Sequence, residues 1–546
     1  MYYSRRDRNR KKWLPLWIGL SIALGIFIGS RYAQFGEGGR QTFDFGKLGA
    51  VLHFIQESYV DEIDMYQFLE DAIPRVMQGL DPHSVYFTAE EMRRINEEMH
   101  GHFSGIGASA HLLRDTIVIT SILPGGPSEA AGIRQWDRIV TVNDSLVAGQ
   151  NISFENVHSM LRGERGSEIT LGIRRDNANR LENIIITRAY IPTPTIQAAY
   201  MLTDRVGLIA LRNNFGLNTF NEFVSALARL KHRGANSFVI DLRGNTGGAL
   251  EVTIAMVNQF LGRGDLIVYV EGRDFPRQSS YATGAGTSQQ SNVVVLVDEM
   301  SASSSEIFAG AIQDHDRGLV IGRRTFGKGL VQSQRLFPDG SAVRLTVARY
   351  YTASGRSIQR GFEKGNYEDF VQETLHRYRQ GIAFERPGDD LIPFNTLGGR
   401  RVYGGDGIMP DIYVPRNMAG VNSYFNHIMS RRWEEEFAMT YADRNRDRLS
   451  RFNTWQELYA HLRHQPLLLN LVSFADNRGL RQRPVYIRES ATLLEYAMYA
   501  HIARVFFGEE AFWAIYFKND ELVSKAVALI EAGKTNRDAI LRGLYR

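Results

Sequence analysis

Ser237-Phe-Val-Ile-Asp-Leu-Arg-Gly-Asn-Thr-Gly-Gly248 is a short β-rich run followed by a loop with three glycines. Ser237–Asp241 reads as a strand buried in the middle of a sheet, and the residues after the loop, Ala249–Leu261, read as a helix. Strand, glycine loop and helix in that order form the repeating unit of an α/β fold, which presents its ligand-binding loops beyond the carboxyl ends of the strands. Upstream lie a strand at Val206–Leu211 and an amphipathic helix at Asn218–Lys231. Downstream come strands at Leu266–Val270 and Asn292–Val297, a helix at Ser304–Gln313 and a strand at Leu319–Gly322. Pro338-Asp339-Gly340-Ser341 between two β-rich runs predicts a hairpin. Residues 192–415 therefore read as one α/β domain, interrupted by a polar, weakly periodic insertion at 361–401.

The flanks have different patterns. Residues 100–191 carry short β runs (Thr116–Ile122, Asp137–Val142, Glu168–Ile173, Glu182–Arg188), a turn at Pro124–Pro127, a one-turn helix at Ser128–Gly132 and a helix at Phe154–Leu161, enough for one compact β-rich domain. Residues 35–99 predict a small helical bundle. Leu48, Val51, Leu52, Ile55 and Tyr59 share one helical face, Phe68, Leu69, Ala72, Ile73 and Val76 another, and Thr88 with Glu91 forms a capping box opening a third helix. Leu80-Asp-Pro-His-Ser84 breaks the chain between them. Residues 416–546 are helical, rich in aromatics and arginine, and carry no catalytic pattern.

A chain of 546 residues exceeds one hydrophobic core and implies three or four folding units. With 44% hydrophobic and 23% charged residues it is neither disordered, collagen-like nor a many-span membrane protein. The net charge of +4 arises at the N-terminus, where the first twelve residues hold six Lys/Arg against Asp7, so no basic surface for nucleic acid is indicated. Absence of cysteine excludes disulfides, thiolate metal sites and cysteine nucleophiles, and leaves the compartment open. Trp13–Ser30 is 18 residues without a charge, about 27 Å as a helix. It reads as an uncleaved anchor in preference to a signal peptide, since Arg31 disturbs a cleavage site at Ala33. The basic stretch before it puts residues 1–34 in the cytoplasm and the span, and residues 35–546 on the other side of a membrane.

Four groups of residues have chemistry in reach. The Gly247-Gly248 pair ahead of a helix fits either an oxyanion hole or a tight turn, and Ala249-Leu250 after it excludes a Walker phosphate loop. Ser301-Ala-Ser-Ser-Ser305 at the start of a helix supplies ordinary N-caps or a nucleophile with backbone donors beside it. His315 lies about 15 Å away at the far end of that helix, so it reads as a capping or surface residue. Lys328 between Gly327 and Gly329 is either a turn lysine or, if burial lowers its pKa, a base. Gln332 follows four residues later, ~13 Å away along a straight strand, so contact with Lys328 requires a bend.

These motifs, in order, resemble the carboxy-terminal processing proteases, the tail-specific serine peptidases of family S41. The resemblance spans about 45–415 and rests on Leu80–Ser84, Gly105-Ile-Gly107, Asp241–Gly248, Ser301–Ile307, Gln313-Asp-His315, Thr325–Gln332, Tyr350–Gln359 and Gly407–Asp411. It implies a crotonase-like or ClpP-like catalytic core with an inserted PDZ domain at 100–191. It assigns Ser303 as nucleophile, Lys328 as general base and Gln332 as the residue orienting the lysine. Oxyanion donors would be the N–H of Gly248 or Gly247 and that of Ser304, where usual members have alanine. Asp314 falls where some members have an aspartate implicated in the active centre, and a structural role is the preferred reading here. The 361–401 insertion is absent from usual members. In the PDZ domain, Gly105, Ile106 and Gly107 would capture a C-terminal carboxylate, with the groove between Ile106–His111 and the Phe154–Leu161 helix. The implied activity is Ser–Lys acyl-enzyme endopeptidase cleavage near the C-terminus of tailed or unfolded proteins, with no metal, cofactor or nucleic acid. A homo-oligomer or an activating adaptor is compatible with it. The localisation implied is the bacterial inner membrane, catalytic part in the periplasm. Two other readings are a membrane-tethered PDZ adaptor with an inactive core and a histidine triad through His315.

Overall fold

The structure is a computed structural model that describes residues 46–175, 180–362, 367–380 and 391–545. The apolar stretch Trp13–Ser30 lies outside them; among the described residues no helix is long and apolar enough to cross a membrane. The chain divides into two compact units, with the boundary between Ala72 and Ile73. In the first, the helix Gly46–Ser58 buries no side chain.

The second unit is built on a six-stranded sheet. Its order is Ala198–Met201, Val206–Ala210, Ser237–Asp241, Asn292–Val297, Leu319–Gly322 and Ile412–Tyr413, antiparallel at the first pair and parallel thereafter. Successive strand residues point to opposite faces, and here both faces are covered. Ile209, Phe238, Ile240, Val293, Val295 and Val320 pack against the helices Thr219–His232, Leu250–Val257 and Ser304–Asp314. Leu208, Val239, Val294, Leu296, Leu319 and Ile321 pack against Val523, Ala526, Leu529 and Ile530 of the helix Glu521–Glu531. Residues 416–546 are helical, as their sequence predicts, and their helices are divided between two cores. Their last part is the second helical layer of the six-stranded sheet, while Tyr424 to Ile515 contribute to a core of their own. The physical reason is that strands apolar on both faces need two layers, and the three helices that precede residue 416 in this core cover one face.

A second, antiparallel sheet joins Ala342–Tyr351 to Leu330–Leu336, to Leu266–Gly272 and, through the latter, to Phe275–Tyr281. Its remaining strand, Val85–Phe87, comes from the region expected to be a helical bundle. That expectation is corrected: Thr88 does cap the helix Ala89–His100 with a capping box, but the residues just before it pair with Ala342–Arg344. Three residues are too few for a period of two to show in the sequence.

The domain inserted between these parts is an antiparallel sheet of Ala108–Leu113, Thr116–Ile122, Arg138–Val142, Glu168–Arg174 and Glu182–Thr187, with the helix Phe154–Leu161 contributing Val157 and Leu161 to its core. His102–Gly105 and Ala189–Pro192, at its entry and exit, pair antiparallel with each other and close it as an insertion. The outer face of its first two strands rests on the C-terminal helices, with Leu113 and Val118 packed against Met439, Ala442 and Val505. Arg138 meets Asp443 at 2.6 Å, and His111 meets the buried Glu435 at 3.2 Å.

Candidate active site

Four loops at the carboxyl edge of the parallel sheet and its neighbours converge on one cavity of about 760 Å³, lined among others by His83, Gly247, Gly248, Ser303, Ser304, Phe326, Lys328, Gln332 and Tyr350. The loop after Ser237–Asp241 is held from inside. Arg243 grips Asp241 with two bonds of 2.8 and 2.7 Å and reaches Asp520 at 2.7 Å. Burial works against the charge of Asp241, and Arg243 holds the carboxyl below the usual range regardless. The Asn245 side chain donates to the Leu211 carbonyl (2.7 Å) and accepts from Gly247 N–H and Ser305 Oγ, both at 2.8 Å. Gly248 stands at φ 148°, where a Cβ would lie 2.2 Å from the Phe215 carbonyl oxygen, and a Cβ on Gly247 would lie 2.9 Å from that of Ser303. Both glycines are required by close approach, one to Phe215 and one to the serine.

Ser303 precedes the helix Ser304–Asp314, all eleven residues of which are buried. Its φ of 55° and ψ of −116° are unusual for a residue with a side chain, and such geometry persists only where the surroundings impose it. They do: its N–H donates to Glu306 Oε2 (2.8 Å), and its carbonyl accepts from Tyr350 Oη (3.1 Å) and from the N–H groups of Glu306 and Ile307. Ser304 Oγ donates to the Gly248 carbonyl (2.8 Å), tying the serine turn to the glycine loop. The N–H groups of Gly248 and Ser304 have no acceptor among the described residues, whereas that of Gly247 is taken by Asn245. Of the two glycines the sequence left open, Gly248 is the one with a free donor.

Lys328 sits two residues before Leu330–Leu336, in the Gly327–Gly329 turn, and a bulge lies between Val331 and Gln332. Turn and bulge supply the bend that a straight strand lacks, and Lys328 Nζ meets Gln332 Oε1 at 3.2 Å. Gln332 Nε2 in turn donates to the His83 carbonyl, which fixes the amide so that its oxygen faces the lysine. Burial, then the nearby Arg344, lower the Lys328 pKa, against the opposing pull of Glu306 and Asp81. Among the described residues Lys328 Nζ bonds Gln332 and not Ser303 Oγ.

Three residues of the site lie inside motifs quoted from the sequence, which gives them no role of their own. Glu306 is fully buried and accepts from Ser303 N–H, Lys328 N–H (2.9 Å), Gly327 N–H (2.8 Å) and Thr325 Oγ1 (2.5 Å). Its position three residues after Ser303 is a capping-box signal, but nothing local announces the donors from residues 325–328. Tyr350 Oη bonds the carbonyls of both Ser303 and Lys328. His83 belongs to a turn organised by Asp81, which accepts from His83 N–H and Ser84 N–H at 2.9 Å each. Burial, then Lys328, pull the His83 imidazole down to about 4.

Asp314 and His315 lie at the other end of the serine helix. Asp314 is paired with the fully buried Arg356 at 2.7 Å. His315 is the C-cap of that helix, as one of its two readings had it, and is buried instead of lying on the surface; its Nε2 contacts the Leu266 carbonyl at 2.7 Å. A triad of His315 with Ser303 is not formed. In the inserted domain, Ile106 is buried and its carbonyl accepts from Ser128 N–H and Oγ, while the N–H groups of Ile106 and Gly107 have no acceptor among the described residues. Ala108–Leu113, next to them, is the edge strand of its sheet.

The model of peptidase family S41 matches residues 205–365, that of the PDZ domain residues 104–186, and that of a family of unknown function (DUF8443) residues 424–508. The chain is similar to the carboxy-terminal processing protease CtpA of Bacillus subtilis, with 33% identity over 344 residues, covering 62% of this chain and 72% of the relative. It is 31% identical to a probable CtpA-like serine protease of Staphylococcus epidermidis over 65% of this chain and 73% of that one. Among solved structures, the photosystem II D1 C-terminal processing protease matches with 27% identity and a TM-score of 0.32, over 57% of this chain and 89% of that one.

Proposed function

The chain belongs to peptidase family S41, the carboxy-terminal processing serine peptidases, and from that membership we propose that it cuts protein substrates near their C-terminus by a Ser–Lys acyl-enzyme mechanism, the PDZ domain holding the substrate tail. The observation that carries this reading is the meeting in one cavity of Ser303, Lys328 bound to Gln332, and the free N–H groups of Gly248 and Ser304. A neutral lysine amine has two N–H bonds and one lone pair. Gln332 Oε1 accepts one N–H, which leaves the lone pair to take the Ser303 proton as Oγ attacks the scissile carbonyl. The carbonyl oxygen becomes an oxyanion between the two free N–H groups, the amine leaves with the proton from Lys328, and water activated by the same lysine releases the acyl group. On this reading the core is of the crotonase-like or ClpP-like kind, supported by its mainly parallel sheet between two helical layers. The uncharged run Trp13–Ser30 behind six basic residues supports a single-pass anchor with the catalytic part in the periplasm.

The test is cleavage of an unfolded protein bearing an apolar C-terminal tail by the full chain in detergent, with the cut sites located by mass spectrometry. Amidating the tail removes the carboxylate that Ile106 and Gly107 N–H would bind. Loss of a charge-assisted hydrogen bond is worth about 1.5–3 kcal/mol, so KM rises about tenfold or more. Equal cleavage of both substrates discards tail recognition, and binding without cleavage favours the adaptor reading.

A second expectation concerns pH. The amine must be neutral, so kcat/KM rises with pH through the Lys328 pKa. Gln332→Glu places a carboxylate 3.2 Å from the amine, stabilises its protonated form and moves the acid limb upward by about 1–3 pH units. An unmoved limb removes Lys328 as the base.

A further inference from the structure

The helix Tyr367–Gln380 lies within residues 361–401, the stretch that reads from sequence as an insertion, and it carries one side chain into the support of the active site. Phe370 is buried, with its ring edge-on to His83 (centroids 5.3 Å apart, planes at 90°) and to Phe326 (6.1 Å, 70°). His83 and Phe326 also meet, at 6.2 Å. The other side of Phe370 is covered by the Arg360 guanidinium, 3.9 Å from its centroid, and Arg360 reaches back to Thr374 Oγ1 of the same helix at 2.8 Å. Arg377 anchors the helix to Asp406 at 2.7 Å.

Each ring that Phe370 touches belongs to a segment that places Lys328. Phe326 is two residues before the lysine, and the Gly327 carbonyl between them accepts from Arg360 N–H at 2.8 Å. His83 presents the carbonyl that orients Gln332. His83 and Phe326 line the cavity and Phe370 stands behind them, so the helix acts on the site through these rings.

We propose that the insertion helix is a brace for the catalytic base: Phe370, wedged between His83 and Arg360, is a positioning residue that holds the Gln332 support and the Lys328 turn in register with each other. The proposal rests on the Ser–Lys reading. Without the wedge, the aromatic trio loses its centre, the His83 carbonyl and the Gly327 turn move independently, and the Lys328–Gln332 contact loosens. Water then reaches an amine whose charged neighbours are Glu306 from the serine helix, Asp81 from the His83 turn and Arg344 from the adjoining strand. His83 faces it in neutral form, and Arg360 lies behind the rings.

The experiment is Phe370→Ala in the full chain, with Phe370→Leu as the conservative variant. Expected are a fall in kcat of about 10- to 100-fold, KM within threefold, and an acid limb displaced to higher pH, with Leu recovering most of both. The Lys328 pKa is read separately from the pH dependence of its acylation by an amine-reactive reagent, and it rises in the Ala variant. Should that variant not fold, Arg377→Gln, which frees the helix from Asp406, displaces the acid limb in the same direction by less. Unchanged kcat, limb and acylation profile in a folded variant overturn the brace. A raised acylation pKa with an unmoved kinetic limb upholds the brace and overturns the assignment of Lys328 as base.

Discussion

Replacing Lys328 with alanine lowers kcat for a tailed substrate by about 10⁴-fold or more, and Ser303→Ala does the same, because nucleophile and base act as one unit and the remaining oxyanion donors supply only the residual rate. The two variants are not additive: the double variant is no worse than either. Lys328→Arg separates chemistry from structure, since it keeps length and positive charge but holds its proton at every usable pH. It is as inactive as alanine, and raising the pH does not rescue it. On the proposed tail recognition by Gly105–Gly107, none of these changes weakens binding of a C-terminal tail, because those residues lie in the inserted domain, away from the cavity lining. Stability moves the other way. Burial depresses the Lys328 pKa, so the folded state binds fewer protons than the unfolded chain and is disfavoured where the amine is charged. Lys328→Met therefore melts at or above the wild-type temperature at neutral pH, and the gain disappears above pH ~10, where the unfolded lysine is also neutral. Retained turnover in Lys328→Ala or in Lys328→Arg refutes the base assignment outright.

What the sequence disclosed follows from the range of the forces involved. Ser237–Asp241, Asn292–Val297 and Leu319–Gly322 appear at their read boundaries because a strand covered on both faces is apolar throughout and ends where its loop begins. Phe154–Leu161 does so because Ser153 caps it locally. That Ser303 and Lys328 belong to one site is a reading of motif order, and the structure places both in one cavity; the obstacle to Lys328–Gln332 contact was legible too. The bulge that removes it was not, since a bulge is defined by the partner strand Ala342–Tyr351, far along the chain. The same holds for Val85–Phe87, whose strand character comes from Ala342–Arg344, and for the helix Glu521–Glu531, whose amphipathic face says that it packs but not on which sheet. Phe370 shows the limit most plainly. In a polar, weakly periodic stretch one phenylalanine carries no pattern, and its place between His83 and Arg360 is purely a long-range fact.

Glu306→Gln is expected to reduce kcat by about 100-fold while leaving the fold intact. The wild-type carboxylate uses both oxygens twice: Oε2 for the amides of Ser303 and Lys328, Oε1 for Gly327 N–H and Thr325 Oγ1. It thereby fixes the unusual backbone of Ser303 and the turn of Lys328 with one side chain. A side-chain amide cannot accept on both sides. Whichever way the introduced amide turns, its NH₂ opposes two donors. The side facing Thr325 is the less damaging, although Thr325 Oγ1 already accepts from Ile408 N–H at 2.6 Å. A buried orphaned donor is worth about 1–3 kcal/mol, but the substitution also removes a buried charge. Burial pushes the Glu306 carboxyl up to about 7 even with its four donors pulling it down. The folded state therefore favours the neutral form, whose stabilisation is fully present below the unfolded pKa and is lost as pH rises through 7. The neutral amide lacks that loss, so the melting temperature of Glu306→Gln improves relative to wild type as pH rises from about 5 to 8. Activity behaves oppositely. Protonating Glu306 breaks the same contacts that the substituted amide lacks, so in the wild type both Glu306 and Lys328 must lose a proton, and log(kcat/KM) climbs on the acid side with a slope approaching two. In Glu306→Gln only Lys328 titrates, and the slope falls to one. A variant that keeps wild-type kcat and the steeper slope would show that Glu306 holds neither Ser303 nor Lys328 in place for catalysis.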